Sequence, residues 1–219
     1  MTYQAKLYIG TSGWSYPKGE GTWTGYFYPT GKINELEYYS QFFNTAEINS
    51  SFYRPPNPGY VYNWIRRVPN DFLFTVKLWQ KFTHPKMYKE ATGKEVVISQ
   101  QDIDLLNQSI EPLVRYGKLG ALLAQFPPSF KNDSYGRQTL NAITRTFNQY
   151  RFAVLTHLAM LFNMVRSPIT ARCTSIGSCL NMLATIGSNR LPLSSPVISA
   201  AIDGSTTNKS FGILLSIFG

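Results

Sequence analysis

The chain is poor in most residues that announce a chemistry. Two cysteines in 219 residues exclude a disulfide-stapled scaffold and the common zinc-ribbon spacings. Those two, Cys173 and Cys179, are separated by five residues, which matches no standard zinc or redox pair. Histidine is as scarce: His84 and His157 stand far apart, so spacing assembles no ligand set and no metal is expected. No apolar run reaches the ~18 residues of a membrane helix, and the first residues, Met1 to Lys6, open no apolar leader. The expected setting is a reducing cytoplasm with no membrane partner. Nucleophile elbow, Walker loop and dinucleotide fingerprint are all absent from the sequence. Carboxylates are few as well, 12 against 21 Lys and Arg, which leaves a net charge of +9. That excess permits an anionic partner, either nucleic acid or a small polar or phosphorylated ligand, without choosing between them. Nothing sets a cofactor or an oligomeric state.

What is present is a soluble composition, 43% hydrophobic with a mean hydropathy of -0.17, and a length that fits one domain or slightly more. It is unevenly distributed. Residues 1–154 hold 17 of the 21 basic side chains, 11 of the 12 acidic ones and 29 of the 32 aromatics. The 65 residues after Val154 keep one carboxylate, Asp203, and are rich in Ser and Thr. A solvated surface normally mixes both charge signs at about a quarter of its positions. The chain is therefore expected to divide into a structured portion, 1–154, and an atypical tail, 155–219. The tail is a buried or partner-covered segment, a low-complexity extension, or sequence read out of its original frame.

The first portion alternates strand and helix patterns. Lys6–Gly10 reads as a strand stopped by Gly10-Thr11-Ser12-Gly13. Asn34 can cap a helix whose Leu36, Tyr39, Phe42 and Phe43 form one stripe. Thr45–Ser50 reads as a strand with Ala46 and Ile48 on one face and Glu47 and Asn49 on the other. A short helix is expected near Tyr60–Arg67, strands at Phe72–Lys77 and Leu119–Phe126, helices at Asp102–Val114 and Gln138–Phe147, and a fifth strand at Arg151–Val154. Helix-length connections favour parallel neighbours, hence an α/β sheet. Five units in 154 residues extrapolate to the ~250 residues of a (β/α)₈ barrel. The expected fold is thus a TIM-barrel-like parallel barrel, incomplete at about five units.

Ile9-Gly10-Thr11-Ser12-Gly13-Trp14-Ser15-Tyr16, Phe27-Tyr28-Pro29 and Phe43-Asn44-Thr45-Ala46-Glu47-Ile48-Asn49-Ser50-Ser51-Phe52-Tyr53-Arg54 resemble the YecE-like family, domain of unknown function 72. Phe74-Thr75-Val76-Lys77, Thr83-His84 and Leu122–Phe130 follow in the same order, so the resemblance covers about 150 residues. It implies a TIM-barrel-like fold and no established activity. After Tyr150-Arg151-Phe152-Ala153-Val154 the family pattern continues with Glu, an apolar residue, Arg and His. Here Leu155-Thr156-His157-Leu158 departs from it, where the composition also changes.

In a parallel barrel, ligands bind at the carboxyl ends of the strands. Glu47 and Lys77 could there bind substrate or transfer protons, or form a structural ion pair. Thr11 and Ser12 could receive an anion or simply close a tight turn. Asn49 and Gln125 stand at strand ends as binding groups. His84 titrates near neutrality and could act as acid or base, or be a bystander. Tyr53-Arg54 could stack on a base and grip phosphate, or cover the mouth. Trp14, Tyr16, Trp23, Tyr26, Phe27 and Tyr28 pack a loop or offer a ring-stacking platform. Arg66-Arg67 and Lys81, Lys86 and Lys89 read as solvated faces. Three functions compete: a small-molecule enzyme or binding protein, a nucleic-acid binder or phosphodiester hydrolase, and a non-functional truncated product.

Overall fold

A computed structural model of the chain describes residues 6–16, 23–155 and 213–218. His157, Cys173, Cys179 and most of the atypical tail lie outside the described residues. Strands β1 (Lys6–Thr11), β2 (Thr45–Ile48), β3 (Leu73–Lys77), β4 (Leu119–Gln125), β5 (Phe152–Leu155) and β6 (Ile213–Phe218) are joined in chain order with six helices. These are α1 (Glu35–Tyr39), α2 (Pro58–Ile65), α3 (Gln80–Thr83), α4 (Pro85–Thr92), α5 (Gln100–Arg115) and α6 (Ser134–Thr146). Among the described residues no helix is long and apolar enough to cross a membrane. The described residues divide into two units. One holds the chain up to Glu47, the segment Arg67–Phe72, and β6. The other holds Ile48–Arg66 and the chain from Leu73 through β5.

In the first unit β1 lies beside the start of β2. The Ile9 N–H donates to Asn44 Oδ1 at 2.8 Å, and Gly10 passes so close to Thr45 that a Cβ there would stand 2.0 Å from its carbonyl oxygen. Only glycine fits that approach. The other edge of β1 pairs antiparallel with β6, from Lys6 opposite Phe218 to Thr11 opposite Ile213. A barrel would give β1 parallel neighbours, so the described strands do not close as expected. Helix α1 is shorter than its apolar spacing suggests. Asn34 caps it, its Oδ1 accepting from the Glu37 N–H, but it ends at Tyr39, and Phe42 and Phe43 follow in the turn beyond. Tyr39, its last residue, reaches two strands through its phenol. The Thr11 N–H donates to Tyr39 Oη at 2.8 Å and the Tyr39 O–H donates to the Thr45 carbonyl at 3.0 Å. Tyr39 and Phe43 stack at 4.5 Å, and Tyr39, Leu36 and Tyr28 are buried.

In the second unit β3, β4 and β5 run parallel in that order, with Lys77 opposite Leu123 and Gln125 opposite Leu155. Phe74, Val76, Leu122 and Ala124 share one face and are fully buried, as are Leu106, Ile110 and Leu113 on α5. Thr75, Lys77, Ala121, Leu123 and Gln125 share the opposite face by strand parity. Two elements lacked an expectation. Helix α3 is one turn, and α4 buries none of its residues, so neither shows an apolar period. Lys81 on α3 is no solvated lysine: its Nζ lies 2.8 Å from Asp102 Oδ2, with both side chains 12% exposed.

Candidate functional site at the strand tips

Strand β2 ends at Ile48, two residues earlier than expected, for a local reason. The Ser51 hydroxyl bonds back to the Ile48 carbonyl and lies 2.6 Å from the Lys77 carbonyl. A serine competing for backbone in this way favours a turn over continued strand. Asn49 therefore opens a 3-10 turn, Asn49–Phe52, instead of extending the strand as the alternation implied. All four residues of β2 are buried, so both of its faces are covered.

That turn carries the principal cluster of the second unit. Lys77, the last residue of β3, donates from Nζ to Asn49 Oδ1 at 3.1 Å and lies 4.6 Å over the Phe52 ring. The His84 ring meets the same phenyl edge-on, 4.9 Å away and at 87°. His84 sits between α3 and α4, with Nδ1 2.9 Å from the buried Thr83 hydroxyl. Burial, and after it the Lys77 ammonium, holds the His84 imidazole below the usual histidine value. The ring is consequently neutral at pH 7. Tyr53 lies against Phe52 as well, at 5.3 Å and 85°, yet is 68% exposed, and Arg54 beyond it is exposed. Gln125 is half-buried at the tip of β4, two residues past the partner of Lys77.

The first unit has its own polar group. Glu47 is buried, and Ser12 Oγ donates to its Oε2 at 3.4 Å. The Tyr16 O–H donates to the Ser12 carbonyl at 2.9 Å; burial, followed by the charge of Glu47, pushes that phenol up to about 12. The donors of the Thr11-Ser12-Gly13 turn are largely spent internally. Thr11 Oγ1 donates to the Gly13 carbonyl at 2.6 Å and the Gly13 N–H to the Thr11 carbonyl at 2.9 Å, with Gly13 at φ 101°. The aromatic loop packs on itself. Trp23 meets Tyr16 at 4.7 Å and Phe27 at 5.4 Å, while Tyr26 is 87% exposed.

Within the second unit the structure brings together Lys77, Asn49 and His84, and within the first it brings together Ser12 and Glu47. Phe52, Thr83 and Ser51 stand in the motifs that carry the family resemblance, but were given no role from sequence alone. Phe52 carried one usable signal, an aromatic placed directly after a strand tip and three residues beyond Asn49. Thr75 is a further case: it shares a face with Lys77, and its buried hydroxyl has no hydrogen-bond partner.

Parallel strands joined by helices define an α/β protein with a parallel sheet. A family model described as a protein of unknown function, DUF72, matches residues 8–156, and the chain belongs to that family. The UPF0759 protein YunF of Bacillus subtilis (strain 168) is 30% identical over 126 residues, covering 57% of this chain and 41% of YunF. The UPF0759 protein YecE of Escherichia coli (strain K12) is 33% identical over 78 residues, 36% of this chain and 25% of YecE. The chain therefore spans less than half the length of these curated relatives. A DUF72 family protein from Thermotoga maritima MSB8 superposes with a TM-score of 0.54 at 33% identity, covering 68% of this chain and 55% of that one. One from Enterococcus faecalis V583 gives 0.56 at 21% identity, over 67% and 49%.

Proposed function

We propose that the chain derives from a (β/α) barrel that binds or transforms a small anionic ligand at the carboxyl ends of its strands, through Lys77 and His84 with Asn49 and Gln125. The observation that carries this reading is the crowding of an ammonium and an imidazole on one phenyl ring. The Lys77 ammonium disfavours a second positive charge on the imidazole beside it, and an anion bound next to both would offset that and let the ring take up a proton. His84, kept neutral, is then a proton acceptor or donor beside the bound group. Glu47, bonded to Ser12 next to Thr11 in its own unit, is an acid–base group of the same class.

The test is an NMR titration of the His84 ring in the full chain, with and without inorganic phosphate. Bound phosphate should raise the His84 pKa, and Lys77→Met should abolish the phosphate-dependent part of the shift. A pKa indifferent to phosphate, or a shift that persists in Lys77→Met, removes the reading.

A second reading concerns the tail. The family match ends at residue 156, two residues past the point where carboxylates and aromatics become scarce. We propose that residues from about 155 onward come from a shifted reading frame, so that the strand-tip groups are inherited from a longer parent and the tail is not. Translating the other two frames beyond codon 154 should recover Glu-x-Arg-His followed by a charged, aromatic α/β pattern. Neither frame yielding it would end the idea.

A further inference from the structure

The site has a second half that the anion reading leaves unused. Tyr53 and Arg54 follow the Asn49–Phe52 turn directly, and that turn is pinned. Ser51 ties it to Ile48 and Lys77, and the Tyr53 N–H donates to the Ser50 carbonyl at 3.1 Å. Pro55 and Pro56 stiffen the chain immediately after it. On this fixed segment stands a phenol ring that is 68% exposed, an arrangement its packing does not require. Tyr53 and Lys77 both touch Phe52, one by its ring at 5.3 Å and the other by its Nζ at 4.6 Å. An exposed aromatic surface and a cation are therefore held against one buried phenyl. Arg54 adds an exposed guanidinium with no ion pair among the described residues.

We propose that the ligand bears a flat heterocycle beside its anionic group, as a nucleoside monophosphate does, with the ring stacked on Tyr53 and the phosphate at Lys77. This rests on the anion-binding reading above and adds the class of ligand to it. Stacking one base on an aromatic side chain is worth a change in affinity of roughly 5- to 150-fold. The ring tolerates any base, because every base presents a π-face.

Calorimetric titration of the full chain with adenosine 5′-monophosphate, ribose 5-phosphate and inorganic phosphate tests it. Adenosine 5′-monophosphate should bind roughly 5- to 150-fold more tightly than ribose 5-phosphate. Tyr53→Ala should erase that preference while leaving the affinity for ribose 5-phosphate unchanged, and Tyr53→Phe should restore it. Equal binding of the two sugars by the parent chain, or a preference that survives Tyr53→Ala, overturns the proposal and leaves the anion site standing. Failure of all three probes, inorganic phosphate included, overturns both. Binding of an oligothymidylate with a steep salt dependence, in the absence of mononucleotide binding, overturns it in favour of a strand-binding surface.

Discussion

Lys81→Met and Asp102→Asn, made singly and together, test how much of the second unit rests on one ion pair. Lys81 Nζ lies 2.8 Å from both Asp102 oxygens, and each side chain is 12% exposed. Asp102 Oδ2 also accepts from the Ser99 N–H and the Ser99 hydroxyl, both at 2.7 Å, which closes a capping box at the start of α5. Removing one partner of a buried pair costs about 3–5 kcal/mol, and an exposed pair couples by about 0–1 kcal/mol. At 12% exposure the coupling should fall between, at about 1.5–3 kcal/mol. Asparagine keeps an acceptor for Ser99, so most of the loss in Asp102→Asn reports the charge. Lys89 and Glu95 provide an internal control: they pair at 56% and 74% exposure and should couple by less than about 0.5 kcal/mol. Urea unfolding followed by tryptophan fluorescence reads both cycles. With a slope of about 1–3 kcal/mol per molar, a 2 kcal/mol loss moves the midpoint by about 1 M. The acid limb gives an independent check. Burial raises the Asp102 carboxyl, but the Lys81 and Ser99 contacts outweigh it and hold the group below its ordinary value. The unfolded chain therefore takes up the proton first. The contribution is complete above about pH 4 and lost as pH falls through the folded value. Asp102→Asn should flatten that limb. A Lys81–Asp102 coupling no larger than that of Lys89–Glu95 would refute the reasoning.

Three further outcomes follow from the same geometry. Gly10→Ala should destabilise by about 1–3 kcal/mol, because the new Cβ would meet the Thr45 carbonyl at 2.0 Å; an unchanged melting temperature would contradict the close approach. Tyr39→Phe should cost about 1–3 kcal/mol by orphaning the Thr11 N–H and the Thr45 carbonyl, and hydrogen exchange at Thr11 should accelerate. His84, held low by burial and then by Lys77, favours the unfolded state once protonated. Its contribution to stability is therefore present above about pH 6.5 and declines as pH falls below that, and His84→Gln should remove this slope from an unfolding-versus-pH series.

The apolar runs made β3, β4 and β5 legible, because buried parallel strands need continuous hydrophobic stretches. Helices α5 and α6 were legible from their spacing. Helix α4 was not, since it buries nothing, although Pro85 at its first turn and Gly93 at φ 68° past its end supply start and stop signals. The antiparallel partner of β1 could not be read, because pairing across some two hundred residues leaves no local pattern. Lys77 and His84 could be singled out by residue type at strand and loop positions, and both meet Phe52. Phe52, the ring that joins them, could not be, because an isolated aromatic in sequence looks like core. Lys81 misled for the opposite reason: a lysine among lysines reads as surface, and its carboxylate partner lies 21 residues away.

Helix α1 spans only five residues, far below the length at which a helix holds itself together in water. It is a helix because the Tyr39 phenol meets a backbone donor on one strand and an acceptor on the next. A peptide covering residues 34–44 should accordingly be coil. Within the chain, one hydroxyl fastens that turn to two strands at once.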